Sequence, residues 1–419
     1  MDYEALLELS VDLAFELQSC GGDTYRVEDT VTHLLTAYGL KSETFAIPNC
    51  IIASIETPDG RHLNRMRRSR GSSNNLEGVE RYNALCRRLC QEKPPIEEAR
   101  ELFQQTRRSL RHYPTWLVLL SHFIVGFGFT VIFGGCMVDT LIGGLCGLAI
   151  GLCNRLGSML RSNVFFQSLA SGFVLSFVAH TLFHLGIGTS LDAAISGPLM
   201  LLVPGLLFTN SVRDIIYGDS LSGVNRLVQV LIIAVALAVG TGAAAALSSS
   251  IWGSEILSGP IVKYNLLVEC LFCAIASAGF CIIFNVWGHG FGLCLVGGAL
   301  SWCAYRVCAA LGLSDPVGFL IGSSLAALYS EIMARVRHCP TTAYLIAGLI
   351  PLIPGSDIYH TMVCAVRGDT DGFMARGTRT AALAGALAVG ILMIATVFLK
   401  YFSYYLIRYR IKEDSFLCR

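Results

Sequence analysis

Apolar and polar positions divide the chain in two. Residues 1 to about 110 hold most of the charge and contain no apolar run of about 18 residues, the length that crosses a bilayer. Within this segment, helical spacing predicts a first helix from Tyr3 to Ser19, stopped at Cys20-Gly21-Gly22. Asp23 or Thr24 then caps a second helix through YRVEDTVTHLLTAYG, in which Val27, Val31, Leu34 and Leu35 share a face and Gly39 ends the element. ETFAIP, CIIASIET and HLNRMRR read as three short strands, with Pro58-Asp59-Gly60 as a turn. Helices over 75–91 and 95–111 follow, separated at Pro94-Pro95. The expected head is a small α+β domain over 1–112.

From Thr115 onward the pattern changes to ten apolar spans, centred near residues 125, 147, 175, 200, 237, 277, 300, 325, 348 and 392. LLVPGLLFTNSVRDIIYGD (201–219) and PLIPGSDIYHTMVCAVRGD (351–369) repeat an apolar run, a Pro-Gly break and a closing Gly-Asp at a constant offset of 150 residues. Arg226 and Arg376 keep that offset, as do the two copies of ALAVG at 236–240 and 386–390; GFTVIFGG and GFCIIFNV echo one another one residue out of register. The chain is therefore expected to hold an internal repeat: five spans over 113–250, an external linker over 251–265, five spans over 266–407, and a cytoplasmic tail over 408–419. An odd number of spans per copy inverts the second relative to the first.

Composition agrees with the pattern. In 419 residues, 53% hydrophobic content, 15% charge and a mean hydropathy of +0.58 describe a polytopic membrane protein. A net charge of +1 offers no field for nucleic acid. Most of the 16 cysteines sit singly in apolar runs as small hydrophobes; Cys86 with Cys90 and Cys270 with Cys273 lack the further ligands a metal site needs, and no metal or cofactor is expected. The acidic start is not a secretory signal, so both termini are expected in the cytoplasm. Arg107, Arg108, Arg111, Arg155, Arg161, Arg335, Arg337, Arg408 and Arg410 fit that orientation. Arg367, Arg376 and Arg379 do not, since inversion places them outside; their stretch is expected to fold back into the membrane or line a water-filled cavity.

Each Pro-Gly breaks a helix at depth, leaving free carbonyls and a new helix N-terminus near the midplane. Polar residues just beyond the breaks are the candidate substrate site: Thr209, Asn210, Arg213 and Asp214 after Pro204-Gly205, and Ser356, Asp357, Tyr359 and His360 after Pro354-Gly355. The alternative is a kinked helix beside a solvated loop. A carboxylate would meet a helix N-terminus or Arg213, an ammonium group Asp214 or the broken-helix carbonyls, and a hydroxyl Asn210 or Tyr359. Asp219 and Asp369 are the candidate proton carriers, joined by Glu331, whose other reading is a one-turn pair with Arg335. His180 and His184 have zinc-helix spacing without the glutamate, and read as a polar face. No nucleotide-binding loop, nucleophile elbow or catalytic carboxylate pair occurs, so neither an enzyme nor an ATP-driven pump is expected.

GGDTYRVEDTV (21–31), PGLLFTNSVRDIIYGDSLSGVNR (204–226) and IPLIPGSDIY (350–359) resemble the signature stretches of the threonine/serine exporter family, over nearly the whole chain. The resemblance implies an exporter of L-threonine and L-serine driven by the proton motive force, in a bacterial inner membrane or a related eukaryotic one. It also brings in split relatives associated with dicarboxylate (succinate-like) export. The positions it carries over are Tyr25, Arg26 and Glu28 in the head, Pro204, Gly205, Asn210, Arg213, Asp214, Gly218, Asp219, Ser222, Gly223 and Arg226 in the first half, and Pro351, Pro354, Gly355 and Tyr359 in the second. The chain departs from the pattern at His360, where arginine is common. Tyr25, Arg26 and Glu28 are expected to gate from the cytoplasmic side. The expected partners are a small-molecule substrate, protons and lipid; a homo-oligomer, a gated channel and a membrane sensor stay open.

Overall fold

In the computed structural model, the described residues are 2–68, 74–253, 259–337 and 341–417. The head follows its sequence closely. α1 (Tyr3–Ser19) is capped by Asp2, and α2 (Thr24–Ala37) ends before Gly39, whose φ of +84° lets the chain turn into the sheet. β1 (Ser42–Ile47), β2 (Cys50–Glu56) and β3 (His62–Arg68) form one antiparallel sheet in the order β1-β2-β3, with Phe45 opposite Ile52 and Ile52 opposite Met66. Leu6, Val11, Val27 and Val31 pack on the inner-facing Ile51, Ala53 and Ile55. α3 (Leu76–Glu92), capped by Asn75, and α4 (Ile96–Arg108) close a second core around Leu13, Tyr82 and Phe103. α4, the last head element, stops three residues before Arg111.

Among the described residues, eight of the remaining helices are long and apolar enough to cross a membrane: α5 (Thr115–Ile132), α6 (Met137–Met159), α7 (Val164–His184), α10 (Ser220–Trp252), α11 (Leu266–Ile283), α12 (His289–Ala310), α13 (Asp315–Arg337) and α16, which qualifies over Thr370–Val397. The spans expected near 200 and 348 are not single helices. The first is split into α8 (Leu191–Leu199) and α9 (Gly205–Tyr217), and the second into α14 (Thr341–Leu349), a 3-10 turn (Ile350–Leu352) and α15 (Gly355–Arg367), bent by 53°. Proline at the junction removes a helical hydrogen bond, so neither piece spans alone. α16 (Thr370–Leu417) also runs on as helix through most of the segment read as a tail.

The head and the helix ends it touches define one side of the molecule. Leu76 N donates to Phe284 O at 2.9 Å, Asn285 Nδ2 to Asn75 Oδ1 at 2.9 Å, and Tyr113 stacks on Trp287 with ring centroids 4.1 Å apart. On another face of the membrane bundle, the 259–264 strap lies across the first half: Val262 N donates to Gly134 O at 2.8 Å and Tyr264 Oη to Gly135 O at 2.9 Å.

The halves meet along α5 and α11. A Cβ on Gly128 would lie 2.9 Å from Ala276 Cβ, and one on Gly279 would lie 2.9 Å from Ser121 O, so each repeated glycine seats its helix on the other. Phe129 and Phe280, the next residue in each copy, then meet edge to face at 6.1 Å. Beyond this seam α9 packs on α10 of its own half and also on α16, and α15 on α16 and also on α10, so each short second half-helix lies against the last long helices of both halves.

Candidate functional site

The two breaks share one local geometry. Pro204 has φ −79° and ψ 46°, Pro354 has φ −76° and ψ 52°. In each, the following glycine N–H donates back across the proline, Gly205 to Val203 O at 2.8 Å and Gly355 to Ile353 O at 2.7 Å, an inverse γ-turn from which a new helix starts. Neither start has a side-chain cap, so the first-turn N–H groups of α9 and α15 keep their partial positive charge. At the far ends Gly218 and Gly368 take left-handed φ of 95° and 72°, and Asp219 and Asp369 N–H bond back to Asp214 O and Cys364 O, both at 2.9 Å.

The breaks also touch. A Cβ built on Gly205 would lie 1.8 Å from Ile353 Cγ2, and Gly355 lies against Met200 and Val203. Pro204, Asn210, Ile353 and Gly355 thereby face one cavity of about 500 Å³, to which α5 adds His122, α6 adds Asn154, and α10 adds Arg226 and Gln229. The head's 21–24 loop, with Gln18, lines it from the other end. The cavity can hold a small polar solute between backbone dipoles and the Arg226 guanidinium.

Several predicted residues stand elsewhere or already carry a structural bond. Thr209 Oγ1 donates to Gly205 O of its own helix at 3.1 Å and is buried. Tyr359 Oη donates to Thr241 Oγ1 at 2.8 Å, joining α15 to α10. Ser356 lies in the first turn of α15, and Asp357 sits 3.6 Å from Arg379, which also meets Asp315 at 3.0 Å. Arg379 is thus held by two carboxylates. His360 Nε2 lies 4.0 Å from Asp192.

Asp214, expected to meet an ammonium group, stands in an ion pair. The Arg213 side chain lies outside the described ones; among the described side chains Asp214 meets Arg226, at 3.3 Å with both side chains 13% exposed. Arg226 stands twelve residues beyond Asp214, where the tight Gly218-Asp219 turn folds α10 back along α9. It keeps the repeat register with Arg376. Arg226 Nη2 also donates to Thr24 Oγ1 of the head at 3.3 Å.

The candidate proton carriers have structural duties. Asp219 Oδ1 accepts from Ser222 N at 3.3 Å and Asp369 Oδ1 from Gly372 N at 2.9 Å, so each caps the long helix after it. Glu331 pairs with Arg335 one turn on. His180 bonds Ser176, and His184 stacks on Trp252. In the head, Tyr25, Arg26 and Glu28 line a larger cavity of about 1050 Å³ against α13, α14 and α16. Arg26 sits 3.9 Å from Asp23 and over the Tyr25 ring; Glu28 accepts from Ala46 N at 2.8 Å. Burial, with Asp219 and Asp29 nearby, pushes the Glu28 carboxyl above the usual range.

Comparison with known proteins gives a consistent result. The family described as "Putative threonine/serine exporter" matches residues 9–248, and "Threonine/Serine exporter, ThrE" matches 269–397. A "Probable threonine/serine exporter" of Mycobacterium tuberculosis (strain ATCC 25618 / H37Rv) is 22% identical, covering 93% of this chain and 75% of that protein. The "Threonine/serine exporter" of Corynebacterium glutamicum is 21% identical over 76% of this chain and 66% of its own length. No solved structure gives a significant match.

Proposed function

Since the chain belongs to the threonine/serine exporter family, we propose that it exports L-threonine and L-serine across a bacterial inner membrane, with its termini in the cytoplasm and the proton motive force as driver. The observation that carries this reading is the meeting of the two Pro-Gly breaks at one cavity between the halves. Substrate sites of secondary transporters lie at such junctions, where half-helix N-termini attract a carboxylate and unwound carbonyls accept from an ammonium group.

In this scheme the amino acid's carboxylate meets the start of α9 or α15, with Arg226 as the cation, while Asn210 offers both a donor and an acceptor to the side-chain hydroxyl. The reciprocal cross-contacts of α9 with α16 and α15 with α10 support a two-fold relation of the halves, and rocking about the α5–α11 seam would expose the breaks to each side in turn. Among the acids, Asp219 and Asp369 keep their candidacy for the proton, because a cap that loses its charge also loosens the turn between half-helix and long helix. The head gates entry from its side.

Counterflow in proteoliposomes tests the reading. Vesicles loaded with unlabelled L-threonine, L-serine or succinate should take up the labelled compound transiently and saturably for the two amino acids. Counterflow with succinate alone would move the protein to dicarboxylate export, and downhill flux without saturation or exchange would make it a channel.

A further inference from the structure

Resting on that reading, we infer that the larger cavity is an antechamber for the amino acid, and that Asp214, Arg226 and the head's Thr24 form the gate between it and the site at the breaks. The antechamber is open to solvent at Tyr25, Asp29 and Arg87, all exposed on its wall. Its inner end adjoins the smaller cavity, for Thr24, Thr342 and Leu345 line both.

The ion pair stands at this waist. Asp214 lines the antechamber and Arg226 the inner cavity, so the 3.3 Å bridge joins one to the other. The clasp comes from the head, through Thr24 Oγ1 at 3.3 Å from Arg226. With two charges only 13% exposed and one of them tied to a separate domain, a solute passes only when the arginine swings away. A zwitterion is suited to that exchange. Its carboxylate can replace Asp214 on Arg226 while its ammonium group takes Asp214, so neither buried charge is left alone.

Two observations add to the assignment. Thr342 Oγ1, on the shared wall, is buried without a hydrogen-bond partner among the described residues, which leaves a hydroxyl for a passing polar group. In the repeat, the positions equivalent to Asp214 and Arg226 are Cys364 and Arg376, so no carboxylate stands at that register. The Asp–Arg bridge therefore belongs to the half whose turn faces the head.

The test reads access to the inner cavity without transport. Asn210→Cys places a thiol there, and its modification by a charged, membrane-impermeant methanethiosulfonate in inside-out vesicles is followed at residue 210 by peptide mass spectrometry. Thr24→Val keeps the shape of threonine and removes the clasp; it should raise the modification rate about tenfold, and Asp214→Asn should do the same. Thr24→Ser should match the parent, as should Asp29→Asn on the outer rim. Equal rates in the parent and Thr24→Val, with unchanged melting temperatures, would overturn the gate, and Thr24→Val decides alone if Asp214→Asn does not fold. Because no substrate enters the assay, counterflow that fails with threonine and serine leaves this result standing, and intact counterflow with unchanged labelling removes the gate only.

Discussion

Glu28 shows how one carboxyl at the head–membrane boundary can carry a pH dependence. Burial and the neighbouring Asp219 and Asp29 raise its pKa when the chain is folded, so the folded state binds a proton over a range in which the unfolded state has released it. Its ionisation therefore lowers stability as pH rises from the ordinary carboxylate value through the raised one. Glu28→Gln keeps an oxygen to accept from Ala46 N and cannot ionise. The variant should melt at the same temperature as wild type near pH 4 and above it at pH 7.5, measured in detergent. An equal gap at both pH values would show that charge at position 28 is not the cause.

At the scale of elements, the repeated residues are those at which one helix touches another. A Cβ on Gly240 would lie 2.2 Å from Leu169 O, and one on Gly390 2.1 Å from Ser323 Oγ and 2.7 Å from Leu320 O. The last glycine of each ALAVG therefore lets the long helix of its half lie on the third helix of the same half. Gly242, two residues on, has nothing within 4 Å. Gly240→Ala should lower thermal stability by the equivalent of about 1–3 kcal/mol, the usual cost of overpacking, whereas Gly242→Ala should be neutral or gain about 0.5–1 kcal/mol from helix propensity. At the breaks, Gly205→Ala should disable counterflow through its clash with Ile353, and adding Ile353→Ala should restore part of it. Failure of any rescue would mean that the contact is not what positions the break. These contacts also show why the pattern was legible in part. Period and turn chemistry marked the head helices, the three strands and the Pro-Gly breaks, because each is decided by neighbours along the chain. The partner of Asp214 and the duties of Asp219, Asp369 and Tyr359 depend on how α9, α10 and α15 come together, which no local spacing encodes.

Over the whole molecule, the sided arrangement follows from which loops share a neighbour. The head touches the α11–α12 connection at 284–287 and, through Thr24, Arg226 near the start of α10, whereas the 259–264 strap binds the α5–α6 turn and Thr189. α5, α6 and α7 run between these two sets of contacts, so head and strap belong on opposite membrane faces if each crosses once. Asp59 in the head turn and Lys263 in the strap are both exposed. A cysteine at Asp59 should therefore react with an impermeant thiol reagent only in inside-out vesicles, and one at Lys263 only in intact cells, each read at its own peptide. Such opposed labelling requires an odd number of crossings before the strap, which makes α8 and α9 together one crossing although neither is long enough alone. If both cysteines react from the same face, α8 and α9 form a re-entrant pair that leaves the membrane where it entered. The two halves would then share an orientation, and export by rocking of inverted repeats would have to be abandoned.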